Sequence, residues 1–181
     1  SALAQMRLAQ AHVALKNDNA AADALRRAVA LQPDLLPARV AQIELALRRG
    51  QTQEALTMVR QVQKDIPDSQ AAVALEGDVH MALKNPAAAL AAYDKAFALQ
   101  KSPVLLMRSV GILRSQGKTA EAQQRLTQWL KQYPNDNAAL LYQAELHLAA
   151  NQYKPAIAAL ENILQRVPDS RKAAAVRTSL R

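Results

Sequence analysis

Ala14-Leu15-Lys16-Asn17 recurs as Ala82-Leu83-Lys84-Asn85, and Ala28-Val29-Ala30-Leu31-Gln32 recurs as Ala96-Phe97-Ala98-Leu99-Gln100. Both echoes stand at the same offset, and the punctuation between them halves it. Pro33 and Pro67, and again Pro134 and Pro168, lie half that offset apart, a period of about 34 residues. Lys101 stands where a proline would complete the series, and the interval from Pro67 to Pro134 falls a residue short of two periods, so one unit is a residue shorter than the rest. A fixed period of this size marks a repeat architecture, in which no unit buries its apolar face alone and neighbours stack to form the core.

Composition sets the class of the repeat. Ala (39) and Leu (26) dominate a chain of 181 residues, and both are strong helix formers. Four Gly, six aromatic residues and no Cys leave no disulfide framework, no thiolate metal site, no Cys nucleophile and little hairpin chemistry. No uncharged apolar run reaches the ~18 residues needed to span a bilayer. The first residue is Ser1 rather than Met, and no basic-then-apolar signal segment precedes the helical pattern; excision from a longer protein is the expectation. The formal charge is +8, but Arg171, Lys172, Arg177 and Arg181 crowd the last eleven residues; through residue 170 it is +4, a solvated basic surface rather than a nucleic-acid footprint.

Within each unit, apolar residues recur at helical spacing twice, as in Leu3, Met6, Leu8, Ala11, Leu15 and then Ala21, Leu25, Ala28, Leu31. Between the two helices lie Gly50, Gly117, Asn151 or the Asn17-Asp18 pair, residues suited to left-handed or capping conformations. Between units, Pro33-Asp34, Pro67-Asp68, Pro134-Asn135 and Pro168-Asp169 stop one helix, and Ser102 before Pro103 opens the next. Pro86 and Pro155 fall in first turns, where a missing donor costs little. The expected units are 2–35, 36–69, 70–102, 103–136 and 137–170, forming a single domain over 1–181 with a partial sixth helix at 171–181 as a cap or a cut end.

These residues resemble tetratricopeptide (TPR) repeats. The small residue of the second helix is Ala21, Ala55, Ala89, Ala122 and Ala156, and the large residue one turn later is Leu25, Val59, Tyr93, Leu126 and Leu160. The next small slot holds Ala28 and Ala96 but Val62, Trp129 and Ile163 elsewhere, so looser helix packing is expected at those three. In the first helix, the leucine and small slots read Leu8-Ala9, Gln42-Ile43, Glu76-Gly77, Ser109-Val110 and Gln143-Ala144, and only the first pair matches well. The resemblance implies an all-α, right-handed superhelical solenoid of about five helix-turn-helix repeats, with first helices lining a concave face. Ala55, Ala89 and Ala122 are expected at helix crossings, with Trp129 mostly buried. Leu3, Met6 and Leu8 at the front, with Ala174, Val176 and Leu180 behind, are expected to form exposed end faces that support weak end-to-end association.

Catalytic and cofactor chemistry finds no purchase. His12, His80 and His147 share one slot of alternate units, on the order of 20 Å apart for helices spaced ~8–10 Å, too far to ligate one metal. Gly50, Gly77, Gly111 and Gly117 form no phosphate loop. Tyr93 and Trp129 sit in packing slots, leaving Tyr133, Tyr142 and Tyr153 as candidate surface rings. No enzyme, metal or cofactor is expected.

The working surface is expected to be the groove. By the family resemblance it is faced by Met6, Gln10 and Val13 in the first unit, Val40, Glu44 and Leu47 in the second, and Ala74, Asp78 and Met81 in the third. Met107, Gly111 and Arg114 face it in the fourth, and Leu141, Glu145 and Leu148 in the fifth. The terminal-carboxylate clamp of chaperone-type TPR domains is missing, because its asparagine slot holds Gln10, Glu44, Asp78, Gly111 and Glu145. Glu44, Asp78 and Glu145 instead predict an acidic ladder, either paired with neighbours such as Arg48 and Arg114 or open to basic or amide-rich peptides. The reading is a non-catalytic protein-protein interaction scaffold that binds a peptide or protein segment. A self-associating structural segment and a basic-surface nucleic-acid binder are the alternatives. Glu76-Gly77-Asp78, and Trp129-Leu130 with Tyr133-Pro134, also resemble bacterial lipoproteins with TPR repeats associated with exosortase (PEP-CTERM) and exopolysaccharide systems. That resemblance implies a periplasmic, outer-membrane-tethered parent whose lipid-bearing cysteine lies outside these residues.

Overall fold

The computed structural model describes residues 1–166; the expected terminal helix at 171–181, with Ala174, Val176 and Leu180, lies outside the described residues. Ten α-helices and no strands occur among the described residues, alternating thirteen and fourteen residues in length. They are α1 Ala2–Ala14, α2 Asp18–Leu31, α3 Leu36–Arg48, α4 Thr52–Asp65, α5 Gln70–Ala82, α6 Pro86–Leu99, α7 Pro103–Ser115, α8 Thr119–Gln132, α9 Asn137–Ala149 and α10 Tyr153–Arg166. The helix pairs fall on the units read from the proline series. The chain divides into two compact units, Ser1–Leu105 and a second beginning at Leu106.

One turn design closes every helix pair. In the first, the Asn17 N–H donates to the His12 carbonyl (2.8 Å) and the Lys16 N–H to that of Val13 (3.0 Å), the two bonds of a Schellman turn. Gln51, Asn85, Lys118 and Gln152 close the others onto Ala46, His80, Leu113 and His147. The Asn17 and Asn85 side chains then cap the next helix, accepting from the Ala20 and Ala88 N–H groups. The left-handed residue is Gly50, Gly117 or Asn151 where the sequence offers one, but in the first and third pairs it is Lys16 and Lys84, both at φ 57°. The asparagine is needed as the cap, so the lysine before it carries the strained backbone.

In the first unit, α1 packs on α2, α2 on α3, α3 on α4, α4 on α5, α5 on α6, and α3 also on α5. The second-helix alanines Ala21, Ala55 and Ala89 are fully buried, as are Leu25, Val59 and Tyr93 one turn on. In the second unit, α8 packs on α9 and α9 on α10, with Ala122, Leu126, Ala156 and Leu160 in the matching places. At two of the slots where looser helix packing is expected, Val62 and Trp129, the side chains are nonetheless buried. Trp129 is accommodated by polar and ring contacts: its Nε1 donates to Asp136 Oδ2 (2.8 Å) and its ring lies 4.1 Å from that of Tyr133. Ile163 is half-buried.

The small slots of the first helices follow a volume rule that the family pattern hides. Ala9, Ile43, Gly77, Val110 and Ala144 are all buried, and in all but the fourth repeat, where Val110 stands with Leu126, their sizes vary against the large second-helix residue of the same repeat. Ala9 shares a core cluster with Leu25, Ile43 with Val59, and Ala144 with Leu160. Gly77 is the extreme: a Cβ there would stand 2.3 Å from Tyr93 Cε1, so only glycine admits the tyrosine ring. At the start of the chain, Leu3, Leu8 and Leu15 are exposed, and Met6 is half-buried.

Candidate peptide-binding face

Residues three, four and seven apart share one face of an α-helix, and the groove residues read from the sequence have that spacing on α1, α3 and α5. In the first unit none of them is buried. Met6, Val13, Val40, Leu47, Ala74 and Asp78 are half-buried, and Gln10, Glu44 and Met81 are exposed. Val40 and Leu47 rest on the core of α3, α4 and α5 with their outer surfaces open, and the contact of α3 with α5 sets two of these strips side by side. The strip is therefore partly accessible, with Val40 and Leu47 also packing against the core between the second and third repeats.

The carboxylates along it are not equivalent. The Tyr93 hydroxyl donates to Asp78 Oδ1 (2.6 Å), which ties that carboxylate into the packing of α6. Glu44 is exposed and has no hydrogen bond or ion pair among the described residues. The expected neutralising partner, Arg48, pairs instead with Asp18 (3.1 Å), because it lies in the last turn of α3 beside the start of α2. Gln10 accepts from Arg7 Nη1 (3.0 Å). One open negative charge thus stands among apolar side chains, in place of a ladder of equal rungs.

In the second unit, the corresponding residues of α7 and α9 carry a different balance. Met107 and Gly111 are half-buried, while Arg114, Leu141, Glu145 and Leu148 are exposed. Arg114 reaches Glu145 Oε2 at 3.9 Å and lies 5.2 Å over the Tyr142 ring, so the fourth and fifth repeats meet the paired expectation. Tyr133 and Tyr153 are exposed rings, and Tyr142 is half-buried beneath the guanidinium.

The histidines stay apart in role as well as in sequence. All three are half-buried; His147 Nδ1 meets Gln152 Oε1 at 2.7 Å and His80 Nε2 stands 4.0 Å from Glu76 Oε1. Among the described residues, no three His, Cys, Asp or Glu side chains are grouped to hold a metal, and no helix is long and apolar enough to cross a membrane.

Consecutive helix pairs of constant length, closed by one turn and packed by nearest neighbours, define a helical-repeat protein. Three tetratricopeptide repeat models match, one each over residues 2–35, 40–103 and 113–180, and the chain belongs to this family. It is similar to a thermophilic TPR protein of Thermus thermophilus, at 18% identity and TM-score 0.68 over 99% of this chain and 98% of that one. YrrB, described as a TPR protein with an unusual peptide-binding site, matches at 16% identity and TM-score 0.62, covering 98% and 92% of the two chains. PilF of Pseudomonas aeruginosa matches at 17% identity and TM-score 0.71, covering 99% and 82%. Proteins of the family are in general non-catalytic scaffolds that bind proteins or peptides, and this fold is that of a protein-protein interaction scaffold.

Proposed function

We propose that the solvent-facing strip of α1, α3 and α5 binds a peptide or protein segment that combines apolar side chains with a basic or amide-rich residue. The observation that carries this reading is Glu44: exposed, without a partner among the described residues, and flanked one turn away on either side by the half-buried Val40 and Leu47. An ionised carboxylate beside apolar surface gains from a cationic or amide donor that arrives with its own apolar neighbours. Met6, Val13 and Met81 extend the lining, and methionine adapts to varied partners. The bacterial exopolysaccharide setting rests only on the resemblance of Glu76-Gly77-Asp78 and Trp129-Leu130. Both runs also have packing reasons in this fold, through Tyr93 and Asp136.

The test places a photo-crosslinking residue at Leu47 and identifies captured segments by mass spectrometry, with and without Glu44→Gln. Segments rich in Lys, Arg, Asn or Gln beside apolar residues, captured less by the Glu44→Gln protein, support the reading. Capture that is indifferent both to Glu44→Gln and to Val40→Arg would overturn it.

A further inference from the structure

On the second-helix side of the first unit, residues of α2, α3 and α4 line a half-open cleft of about 380 Å³. Its lining is mixed: Ala22, Leu45, Ala46 and Met58 supply the apolar part, with Leu45 and Ala46 mostly sunk in the core, and Asn19, Gln42 and Gln51 stand among the polar members. Two of the lining residues, Ala22 and Ala46, are small. The positions one repeat on from Ala22 and Ala46 are the larger Leu56 and His80, and Leu56 is buried in the core of α3, α4 and α5.

The rim carries two charges that the protein leaves unmet. Arg49 Nη2 donates to Asn19 Oδ1 (3.2 Å), a neutral acceptor that orients the guanidinium without neutralising it. Arg26, by contrast, is already paired with Asp23. On the α4 side stands Glu54, exposed and without a partner among the described residues. A peptide can meet both: a side-chain carboxylate faces Arg49, while backbone N–H groups face Glu54. The cavity volume suits one large apolar side chain with part of its backbone.

From the alanine-lined cleft and this rim, we infer a second peptide site, distinct from the strip of first helices. It takes a segment in which a leucine-sized side chain is followed by an acidic residue. The apolar anchor fills the space over Ala22 and Ala46, and the carboxylate engages Arg49. The preference is opposite in charge to that proposed at Glu44, so the two surfaces select different sequences.

The test uses the whole chain and capped tetrapeptides acetyl-Gly-Leu-Asp-Gly-amide, acetyl-Gly-Leu-Lys-Gly-amide and acetyl-Gly-Ala-Asp-Gly-amide, followed by amide chemical-shift changes in ¹⁵N spectra. The Leu-Asp peptide is expected to shift the resonances of Ala22, Ala46 and Met58. The Ala-Asp peptide should bind about tenfold more weakly, the effect of losing a leucine-sized anchor. The Leu-Lys peptide should bind about threefold more weakly, a gap that narrows at high salt. Ala22→Leu, which installs the residue found at the equivalent place in the next repeat, should abolish these shifts. The exposed change Arg49→Gln should erase the preference for Asp over Lys and keeps the inference testable if Ala22→Leu does not fold. Unchanged binding in Ala22→Leu, equal shifts from the Leu-Asp and Leu-Lys peptides, or no shifts from the Leu-Asp peptide at several millimolar would each overturn it. Glu44→Gln should leave these shifts unaltered, so failure here is separate from failure at the first-helix strip.

Discussion

Gly77→Ala is expected to destabilise the first unit even though it places a better helix former inside α5. In an exposed helix interior, alanine gains about 1 kcal/mol over glycine. Here the new methyl would stand 2.3 Å from Tyr93 Cε1 and 2.5 Å from Cδ1. The ring must retreat by about 1 Å or more to reach the ~3.5 Å of ordinary contact, and it is not free to swing, because its hydroxyl donates to Asp78 Oδ1 at 2.6 Å. Overpacking of this kind costs about 1–3 kcal/mol, and giving up a hydrogen bond to a carboxylate costs about 1.5–3 kcal/mol more. Against the propensity gain, the net loss is about 1.5–5 kcal/mol. Tyr93→Leu in the same chain should recover much of it, because Ala9 with Leu25 and Ala144 with Leu160 already pack alanine against leucine at these two slots. The coupling between the two substitutions should be at least about 1 kcal/mol. Repeat arrays can unfold in stages, so urea titration by circular dichroism is best joined to hydrogen exchange of α5 and α6 amides. A neutral or stabilising Gly77→Ala, or a double variant whose cost is the sum of the singles, would refute the volume rule.

Three further outcomes follow from the same geometry. Lys16→Gly and Lys84→Gly should each raise stability by up to about 1 kcal/mol, the relief of a left-handed backbone less the entropy of a freer unfolded chain, whereas Gly50→Ala should lower it by about 1 kcal/mol; thermal unfolding reads the opposite signs. Trp129 should emit as a buried indole, and Trp129→Phe should cost about 1–3 kcal/mol in chemical denaturation, because Asp136 loses the Nε1 donor while still capping α9. For a basic partner captured at Leu47, Glu44→Gln should slow association at low salt by several-fold with the difference fading at high salt, while Gln10→Glu should hasten it; surface plasmon resonance across salt concentrations reads both.

Most of the architecture was legible along the chain, because a helix pair of constant length must announce its period through its breaks. The proline series, the alanine at each second-helix crossing and the glycines at the turns located the helix pairs within a residue or two. Helical spacing fixes which residues of a first helix point the same way; in the sequence, that this face binds a partner rests on the family resemblance alone. What the pattern misjudged were tolerances between helices. Val62 and Trp129 looked like poor small residues and are buried all the same, and Glu76-Gly77 looked like a poor match where the glycine is required by the ring it faces.

The partners of charged groups were illegible for a related reason. Arg48 lies one turn from Glu44 in sequence but pairs with Asp18 across the end of α2, and Asp78 is held by a tyrosine fifteen residues on. The cleft over Ala22 and Ala46 likewise depends on how α2, α3 and α4 come together. Local spacing and turn chemistry determine elements within a repeat, because those forces act over a few residues of one chain. Volumes, ion pairs and cavities are settled between helices that approach from different parts of the sequence, so for Glu44, Asp78, Gly77 and Arg49 only the tertiary structure decided which stays open and which is taken.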